Sequence, residues 1–503
     1  MAAVETTGRG ARTYGNWRQP TSAGLVGLGT GGTVLLFLGL FVVLVMLMTG
    51  GLLEALVAAA VVGAVLLLLV TRDRHGRNVL ARAGARAGWL VTRSRGLHLY
   101  RSGPLGRTPW GTYQLPGLLA ATRLSEHSDS YGRRFALLYT PAAKTYSVVV
   151  GTEPDGVGLV DADQVDLWVA DWGHWLAGLG DEPGLEAVSV TIETSPDSGA
   201  RLRREVDRSV HAGAPAFARE VLGQVVASYP GASSMVKAYV SLTFTASARS
   251  GGRPRTPDEM GRELASRLPG LTAGLQVTGA GAAHPLSAQR LCEVVRVAYD
   301  PAAAALIDDV RAQGETPELL WTDVGPSAAQ ASWASYRHDG ALSCTWAMTG
   351  APRGHVQSGI LGRLLAPHRD IARKRVTLLY KPIDSARAAA LVEADLRAAE
   401  FRATSTTRPA ARDTLAVRSA RATAGEEASG AGLVNFGLLV TATVLDARDE
   451  ADARAAVASL SGMARLRLRP VHGSQDSAFA AALPLGVIVS KHISVPTQLR
   501  DNL

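Results

Sequence analysis

Residues 25–48 read LVGLGTGGTVLLFLGLFVVLVMLM, and residues 55–70 read ALVAAAVVGAVLLLLV. Neither stretch contains a charged side chain, and Glu54 lies directly before the second one. As helices they would rise by about 36 Å and about 24 Å, which is comparable to a hydrocarbon core of about 30 Å. Residues 49–51, Thr-Gly-Gly, suit a tight turn. We therefore predict a two-helix transmembrane hairpin over residues 24–71.

The arginines around this hairpin are placed unevenly. Both outer flanks carry Arg, whereas the short connecting turn has neither Arg nor Lys. This asymmetry predicts that both termini lie in the cytoplasm. A cleaved signal peptide is the alternative, but the long apolar run and the second span directly after it argue against that.

The high net charge belongs to the segment after the hairpin. Nine Arg and one Asp lie between Arg72 and Arg107, so residues 108–503 carry a net charge of −1 in a chain of +8. We call five of these arginines the basic collar: Arg72, Arg74, Arg77, Arg82 and Arg86. The basic collar is predicted to face anionic lipid, with nucleic-acid binding as the alternative. The nearly neutral remainder argues against a groove that follows a phosphate backbone, so no sequence-specific nucleic-acid binding is expected.

The pattern after the hairpin predicts an α+β fold with two cytoplasmic α/β sandwich-like subdomains and mostly antiparallel sheets. Strand-like runs at Phe135–Tyr139 and Tyr146–Val150 precede an amphipathic helix at Asp163–Leu179. The predicted divisions are a cytoplasmic tail (1–23), the hairpin (24–71), a basic juxtamembrane helix and connector (72–130), the first domain (131–320), the second domain (321–490) and a tail (491–503).

Further along the chain, Thr256 is predicted to cap a helix that Pro269 ends, and residues 356–365 are predicted to be helical. Residues 403–429 fit either a long exposed helix broken at Pro409 or a mobile arm. The second domain repeats the element order of the first, which hints at duplication although no residue-level repeat is visible.

The search for catalytic chemistry finds none. The pattern Gly27-x-Gly29-x-x-Gly32 has the spacing of a dinucleotide-binding loop, but no strand precedes it. Close helix packing is the better interpretation, and we assign it to Gly27, Gly31, Ala59 and Gly63. None of the five Lys follows a Gly, so a P-loop is absent from the sequence.

Metal and thiol motifs are also missing from the sequence. Cys292 and Cys344 stand far apart and are predicted to be buried free thiols. The acidic residues Asp161, Asp163, Asp166 and Asp171 fit a helix cap and a wet helix face better than a metal site. We therefore predict no catalytic residue, no cofactor and no metal. A membrane-tethered enzyme that holds a metal nucleotide is the alternative.

Three patches carry a family resemblance. Tyr14, Gly15, Asn16 and Trp17 before a glycine-rich hairpin resemble the PrgI-like two-span subunit of type IV secretion systems. Residues 133–490 are similar to the non-catalytic amino-terminal domain of the conjugation ATPase, through the run at Phe135–Val150, the Tyr-Asp-Pro at 299–301 and the carboxyl-terminal segment. That segment comprises residues 475–479 followed by Leu483, Pro484, Leu485 and Gly486.

The order of these patches resembles the integral membrane protein of actinobacterial integrative and conjugative elements. The resemblance implies a non-enzymatic scaffold subunit of a conjugative DNA-transfer channel, which forms homo-oligomers and docks a separate motor ATPase. Surface aromatics such as Trp110, Trp172 and Trp175 would be its interface anchors, with burial of at least two of them as the alternative. A type VII secretion core subunit of the EccE kind, which also has two amino-terminal spans, is the alternative.

Overall fold

The computed structural model describes the chain except residues 1, 5–11, 16, 18–28, 72–78, 107, 110–111, 155, 157, 159, 198, 212, 229–233, 248–252, 353, 406–409 and 493–503. The chain divides into two compact units. The membrane unit comprises residues 18–98 and 493–503, and the sheet unit comprises the residues up to Trp17 together with Leu99–His492.

Helices and strands are numbered in chain order. The α-helices are α1 Gly29–Thr49, α2 Leu52–Val70, α3 Val79–Ser94, α4 Ala162–Gly178, α5 Ala200–Ser209, α6 Ala216–Ser228, α7 Pro257–Leu275, α8 Ala288–Tyr299, α9 Ala303–Ala312, α10 Gly362–Leu365, α11 Ser385–Thr404, α12 Ala411–Ala428, α13 Glu450–Met463 and α14 Gln475–Ala481. The strands are β1 Ala2–Val4, β2 Thr13–Gly15, β3 Leu99–Arg101, β4 Arg123–Ser128, β5 Arg134–Thr140, β6 Thr145–Glu153, β7 Leu185–Pro196, β8 Ser234–Thr245, β9 Ala282–Pro285, β10 Ala328–Ala331, β11 Tyr336–His338, β12 Ala341–Gly350, β13 Val356–Gln357, β14 Arg373–Pro382, β15 Val434–Val444 and β16 Arg467–Pro470.

The sheet unit is built on one 13-stranded sheet with antiparallel pairing throughout. The strand order is β3-β10-β11-β12-β15-β14-β7-β8-β6-β5-β4, with β9 and β16 attached to β6 and β12. The α+β class and the mostly antiparallel sheet agree with the prediction. The predicted division at 320/321 does not interrupt this sheet, because β7 of the first block pairs with β14 of the second.

The sheet consists of two halves with the same internal pairing. In the first half, β6 pairs with β5, β8 and β9, and β8 pairs with β7. In the second half, β12 pairs with β11, β15 and β16, and β15 pairs with β14. The halves meet at β7 and β14, where Thr191 lies opposite Thr377. This arrangement is an approximate two-fold repeat of strand pairing. A duplication, as the element order of the sequence hints, would produce such a repeat.

The two faces of the sheet differ in polarity because side chains alternate along each strand. One face carries the apolar cores. The first core gathers Val148, Leu242 and Phe244 with the buried side of α7. The second gathers Val376 and Val440 with the buried side of α13. The other face, which we call the polar face, carries buried Ser, Thr, Arg and Glu side chains.

Helix α7 shows why one sequence-based prediction fails. Thr256 caps it as predicted, through a capping box with Glu259. The helix nevertheless continues through Pro269 to Leu275. Proline cannot donate a hydrogen bond to the carbonyl four residues earlier. That carbonyl, of Ala265, instead accepts bonds of 3.1 Å from both the backbone N–H and the hydroxyl of Ser130. A distant residue thus offsets the break, and the prediction that Pro269 ends the helix is wrong.

Two other local predictions are refined. The segment at 356–365 is helical only in part: strand β13 and a 3₁₀ turn precede the short α10. Much of the 403–429 region forms α12, which returns along α11, and Arg421 forms a salt bridge of 2.8 Å with Glu400 between the two helices. Pro409 lies outside the described residues.

Candidate functional site

Helix α1 carries no charged side chain, and α2 carries one, Glu54 in its first turn; Gly50 and Gly51 join the two helices. Among the described residues, α1 is the one helix that is long and apolar enough by composition to cross a membrane, over Gly32–Thr49. The apolar part of α2, Leu52–Leu68, is shorter. The membrane unit therefore contains one candidate span and a shorter apolar helix directly after it.

The contact between α1 and α2 uses different small residues from the predicted set. Gly39 lies so close to Val62 that a Cβ at position 39 would collide with it. By contrast, Ala59 is exposed, and no atom lies within 4 Å of where a Gly63 Cβ would stand. The small residue α2 buries is Ala55. Ala59 and Gly63 therefore face away from this contact. Gly27 lies outside the described residues, as does the side-chain environment of Gly31.

The described part of the basic collar lies on α3. Arg82 and Arg86 are exposed on this helix, and Arg93 is in its last turn. Arg72, Arg74 and Arg77 lie outside the described residues. The helix carries no acidic side chain to offset these charges.

The amino-terminal family motif belongs to the sheet unit. Strand β2 pairs with β13, and the Tyr14 hydroxyl donates a 2.7 Å hydrogen bond to Asp166 of α4. Burial, together with this bond and the charge of Asp166, raises the pKa of Tyr14 to about 12. Trp17 packs on Phe436 with ring centroids 5.3 Å apart. Asn16 lies outside the described residues, and Asp166 serves as an acceptor rather than as part of a wet face.

A Cβ on Gly15 would overlap the ring of His355, so a larger residue at this motif position requires that exposed ring to move. The motif thus packs against the rest of the sheet unit rather than forming a free tail. The chain leaves this unit after Trp17 and enters it again at Leu99 in β3.

The carboxyl-terminal motif lies on the polar face of the sheet. Leu483, Pro484, Leu485 and Gly486 are all buried. The Thr377 hydroxyl donates to the Ala482 carbonyl at 2.8 Å, and the Thr243 hydroxyl donates to the Gly486 carbonyl at 3.0 Å.

Gly486 has a φ of +66°, and a Cβ there would collide with the hydroxyls of Thr243 and Ser147. Glycine is needed for both reasons. One hydroxyl of each half therefore anchors this segment, which makes it part of the core.

A cluster of buried charges lies where the two halves meet. Glu193 accepts hydrogen bonds from Arg373 and, at 2.8 Å, from Arg375 Nε. Burial raises the pKa of Glu193, but the two guanidinium groups outweigh it and lower the pKa to about 2. Arg375 is only 1% exposed, and its Nη1 and Nη2 have no hydrogen-bond partner among the described atoms. Two cations thus share one carboxylate, with Phe479 packed 5.3 Å from the Arg375 guanidinium.

A serine and a histidine meet in the second half of the sheet. His338 Nδ1 lies 2.5 Å from the Tyr299 carbonyl, which can only accept, so Nε2 accepts from Ser343 at 2.7 Å. The hydroxyl of Thr443 continues this chain at 2.7 Å from Ser343. Burial lowers the pKa of His338 to about 4, so the ring stays neutral at physiological pH. His338 and Ser343 are fully buried, and a carbonyl replaces the carboxylate of a catalytic triad.

Two of the three predicted aromatic anchors lie at the margin of the first core. Trp172 stacks on Trp175 with centroids 5.0 Å apart and meets Tyr380 edge-on. The Trp175 indole donates to the Leu271 carbonyl at 3.3 Å. Both tryptophans pack against residues of the same chain, so their large side chains stabilise the fold rather than form a free surface. Trp110 lies outside the described residues.

The thiols and acids are dispersed. Cys292 and Cys344 are buried free thiols, as the sequence predicts, and burial raises the pKa of each to about 12. In the part of the chain that the structure describes, no group of three or more His, Cys, Asp or Glu side chains is placed to hold a metal ion.

Sequence reasoning missed the buried charge cluster. The signal is present in β14, where the run Arg373, Lys374, Arg375 opens a strand whose middle residues are mostly apolar. Charges at the start of a strand normally indicate an exposed end. Lys374 points to the opposite face, where burial lowers its pKa to about 8 and its amine donates to the Ala366 carbonyl. The partner Glu193 is 180 residues away in sequence, so no local pattern links it to these cations.

A family model matches the amino-terminal part of the chain. The model of a family described as a domain of unknown function, DUF8461, matches residues 21–81. That segment covers α1, α2 and the start of α3. No curated protein matches the chain.

Proposed function

We propose that this chain is a non-enzymatic scaffold subunit of a conjugative DNA-transfer or type IV secretion-like apparatus in the bacterial inner membrane. Helices α1 and α2 form a two-span anchor, and the sheet unit lies in the cytoplasm, where it docks a separate motor ATPase. The identity of the apparatus and of the partner is proposed from the family resemblance. The two-span anchor is supported by physical observations on the structure.

The observation that carries this proposal is the pairing of β2 with β13. Residues on both sides of the apolar helices belong to one sheet unit, because Tyr14 bonds to Asp166 and the chain returns in β3. A single membrane crossing would separate these two attachments. An even number of crossings keeps them on one side, which supports a hairpin although α2 is short. The arginines of α3 favour the cytoplasmic side.

The scaffold role has further support in the polar residues of the sheet unit. The contact between Ser343 and His338 is fully buried, and the charged cluster is enclosed between the two halves of the sheet. Both arrangements stabilise a fold. Neither offers an accessible nucleophile or acid to a substrate.

The topology is tested with single-cysteine variants of the full chain in spheroplasts. A membrane-impermeant maleimide is expected to label Gly51→Cys in the hairpin turn and to leave Tyr131→Cys, an exposed position of the sheet unit, unlabelled until the cells are lysed. Labelling of Tyr131→Cys in intact spheroplasts would overturn the proposed orientation. The buried native thiols remain unreactive in either case.

The partner is tested by tagging the full chain in its native cells, extracting it in detergent and purifying it after mild cross-linking. Recovery of a P-loop ATPase whose hydrolysis rate changes when the scaffold is added supports the proposal. Recovery of a type VII secretion motor would support the EccE-like alternative. Intrinsic catalytic turnover by the purified chain without any partner would contradict a scaffold role.

A further inference from the structure

Helix α3 has an apolar stripe that is not covered by the membrane unit. Val79, Leu90 and Val91 are between 41% and 63% exposed, and Ala83 and Ala87 on the same side are exposed as well. At 100° per residue these five positions fall within one third of the helix circumference. The sequence alone predicts this stripe but gives no reason to leave it uncovered.

The same helix carries a second stripe of positive charge. Arg82, Arg86 and Arg93 project along one edge of the apolar stripe, and no acid is present on α3. The small residues Gly84 and Gly88 lie beyond the other edge of the apolar stripe, with nothing within 4 Å of where their Cβ atoms would stand. A helix with adjacent apolar and cationic stripes is matched to an anionic lipid surface, which presents acyl chains beneath charged headgroups.

The position of α3 in the chain limits what can cover it. Eight residues separate Val70 at the end of α2 from Val79 at the start of α3. Such a linker extends at most about 28 Å, so α3 cannot move far from the membrane surface where α2 ends. The sequence of that linker contains three more arginines of the basic collar, and positive charge next to a membrane is attracted to anionic headgroups.

We infer that α3 is an in-plane membrane anchor, which inserts its apolar stripe into the inner leaflet and places Arg82, Arg86 and Arg93 among anionic headgroups. This inference rests on the proposed two-span anchor and adds a third membrane contact. The occupant of the stripe is the lipid surface itself rather than a protein partner, because charge and position both match the leaflet.

The test compares two positions of α3 in the full chain, reconstituted into vesicles of phosphatidylcholine with or without phosphatidylglycerol. Leu90→Cys lies on the apolar stripe, and Gly88→Cys lies about 160° away, in open space. Each is labelled with an environment-sensitive fluorophore. Cys292 and Cys344 are buried and stay unlabelled. With phosphatidylglycerol, nitroxide lipids are expected to quench the Leu90→Cys label at least about two-fold more than the Gly88→Cys label.

The charge requirement is tested by adding Arg82→Glu and Arg86→Glu to the Leu90→Cys variant. The ratio of inserted to free label is expected to fall at least about five-fold in anionic vesicles. Flotation of the vesicles reports the two-span anchor separately. A chain that fails to float contradicts the proposed function. A chain that floats with equal quenching at both positions, or with a shielded but unquenched Leu90→Cys label, overturns the inference about α3 alone.

Discussion

The two halves of the sheet share one topology but differ in what they bury. With Thr191 and Thr377 as equivalent positions, Ser189 of β7 corresponds to Arg375 of β14, and Leu379 of β14 corresponds to Glu193 of β7. At one end of the central strand pair the polar face holds three charges, and at the other end it holds a serine and a leucine. The repeat therefore fixes the backbone pairing, while the side chains break the symmetry.

The connections differ as well. The first half places the 17-residue α4 between β6 and β7, whereas the second half has β13 and the four-residue α10 between β12 and β14. Strand β2 pairs with β13, and Tyr14 reaches across to Asp166 of α4. The amino-terminal motif thus contacts both halves at the connections in which they differ, β13 in the second half and α4 in the first. Four predictions sharpen this comparison.

The largest effect is expected from Glu193→Gln. This change leaves two buried guanidinium groups without a counter-charge, which costs about 3–5 kcal/mol of unfolding free energy. Denaturant unfolding of the full chain in detergent, followed by tryptophan fluorescence, measures it. The matched control is Ser189→Ala, at the position equivalent to Arg375. Its hydroxyl is buried without a partner among the described atoms, so its removal should change stability by less than about 0.5 kcal/mol. Equal losses in both variants would contradict the asymmetry between the halves.

The same cluster predicts an acid-sensitive junction between the halves. The pKa of Glu193 is lowered from 4.5 to about 2 in the folded state. Its contribution is therefore fully present above pH 4.5 and is lost as the pH falls towards 2, amounting to about 3 kcal/mol. Unfolding free energies measured across this range should fall less steeply in Glu193→Gln than in the wild type. Parallel pH profiles would show that the carboxylate is not held ionised by the two arginines.

A smaller effect is expected where the carboxyl-terminal motif crosses both halves. Gly486→Ala places a Cβ against the hydroxyls of Thr243 and Ser147 and forces alanine into a positive φ, which together cost about 2 kcal/mol. Gly425→Ala in α12 is the control, because nothing lies near its Cβ position. It should be neutral or stabilising by up to about 1 kcal/mol. Thermal unfolding of the two variants side by side gives the comparison, and an unchanged Gly486→Ala midpoint would mean that the segment is not pinned there.

The smallest effect is expected from Tyr14→Phe, which removes the hydrogen bond to Asp166 that joins the motif to the first half. The loss is about 1 kcal/mol and local, so amide hydrogen exchange at residues 13–17 should speed up by about five-fold without a change in global stability. Tyr131→Phe, at an exposed tyrosine, serves as the control and should leave exchange at residues 13–17 unchanged. Equal exchange in both variants would indicate that the bond does not hold β2 in place.

Much of the fold follows from local patterns. The apolar helices, strands β5 and β6, helix α4 and the cap of α7 all have short-range signals, and each forms close to its predicted position. The union of two predicted domains into one sheet has no such signal, because β7 and β14 pair across 180 residues. The sequence also left open whether Trp172 and Trp175 lie on a free surface or against a core. Both lie on a helix whose pattern shows an apolar side, but the pattern does not say which core that side covers.

Local sequence patterns were enough to predict the apolar helices, the excess of arginine after them and the α+β class. Runs without charged residues and the periodicity of apolar side chains are properties of neighbouring residues, so they can be read without the fold. The tertiary structure alone decided that the amino-terminal motif binds the sheet unit, that Glu193 is shared by two arginines and that Gly39 faces Val62. These contacts join residues that are far apart in the chain or select one side of a helix. Their energies depend on burial, which arises only when the whole sheet has closed.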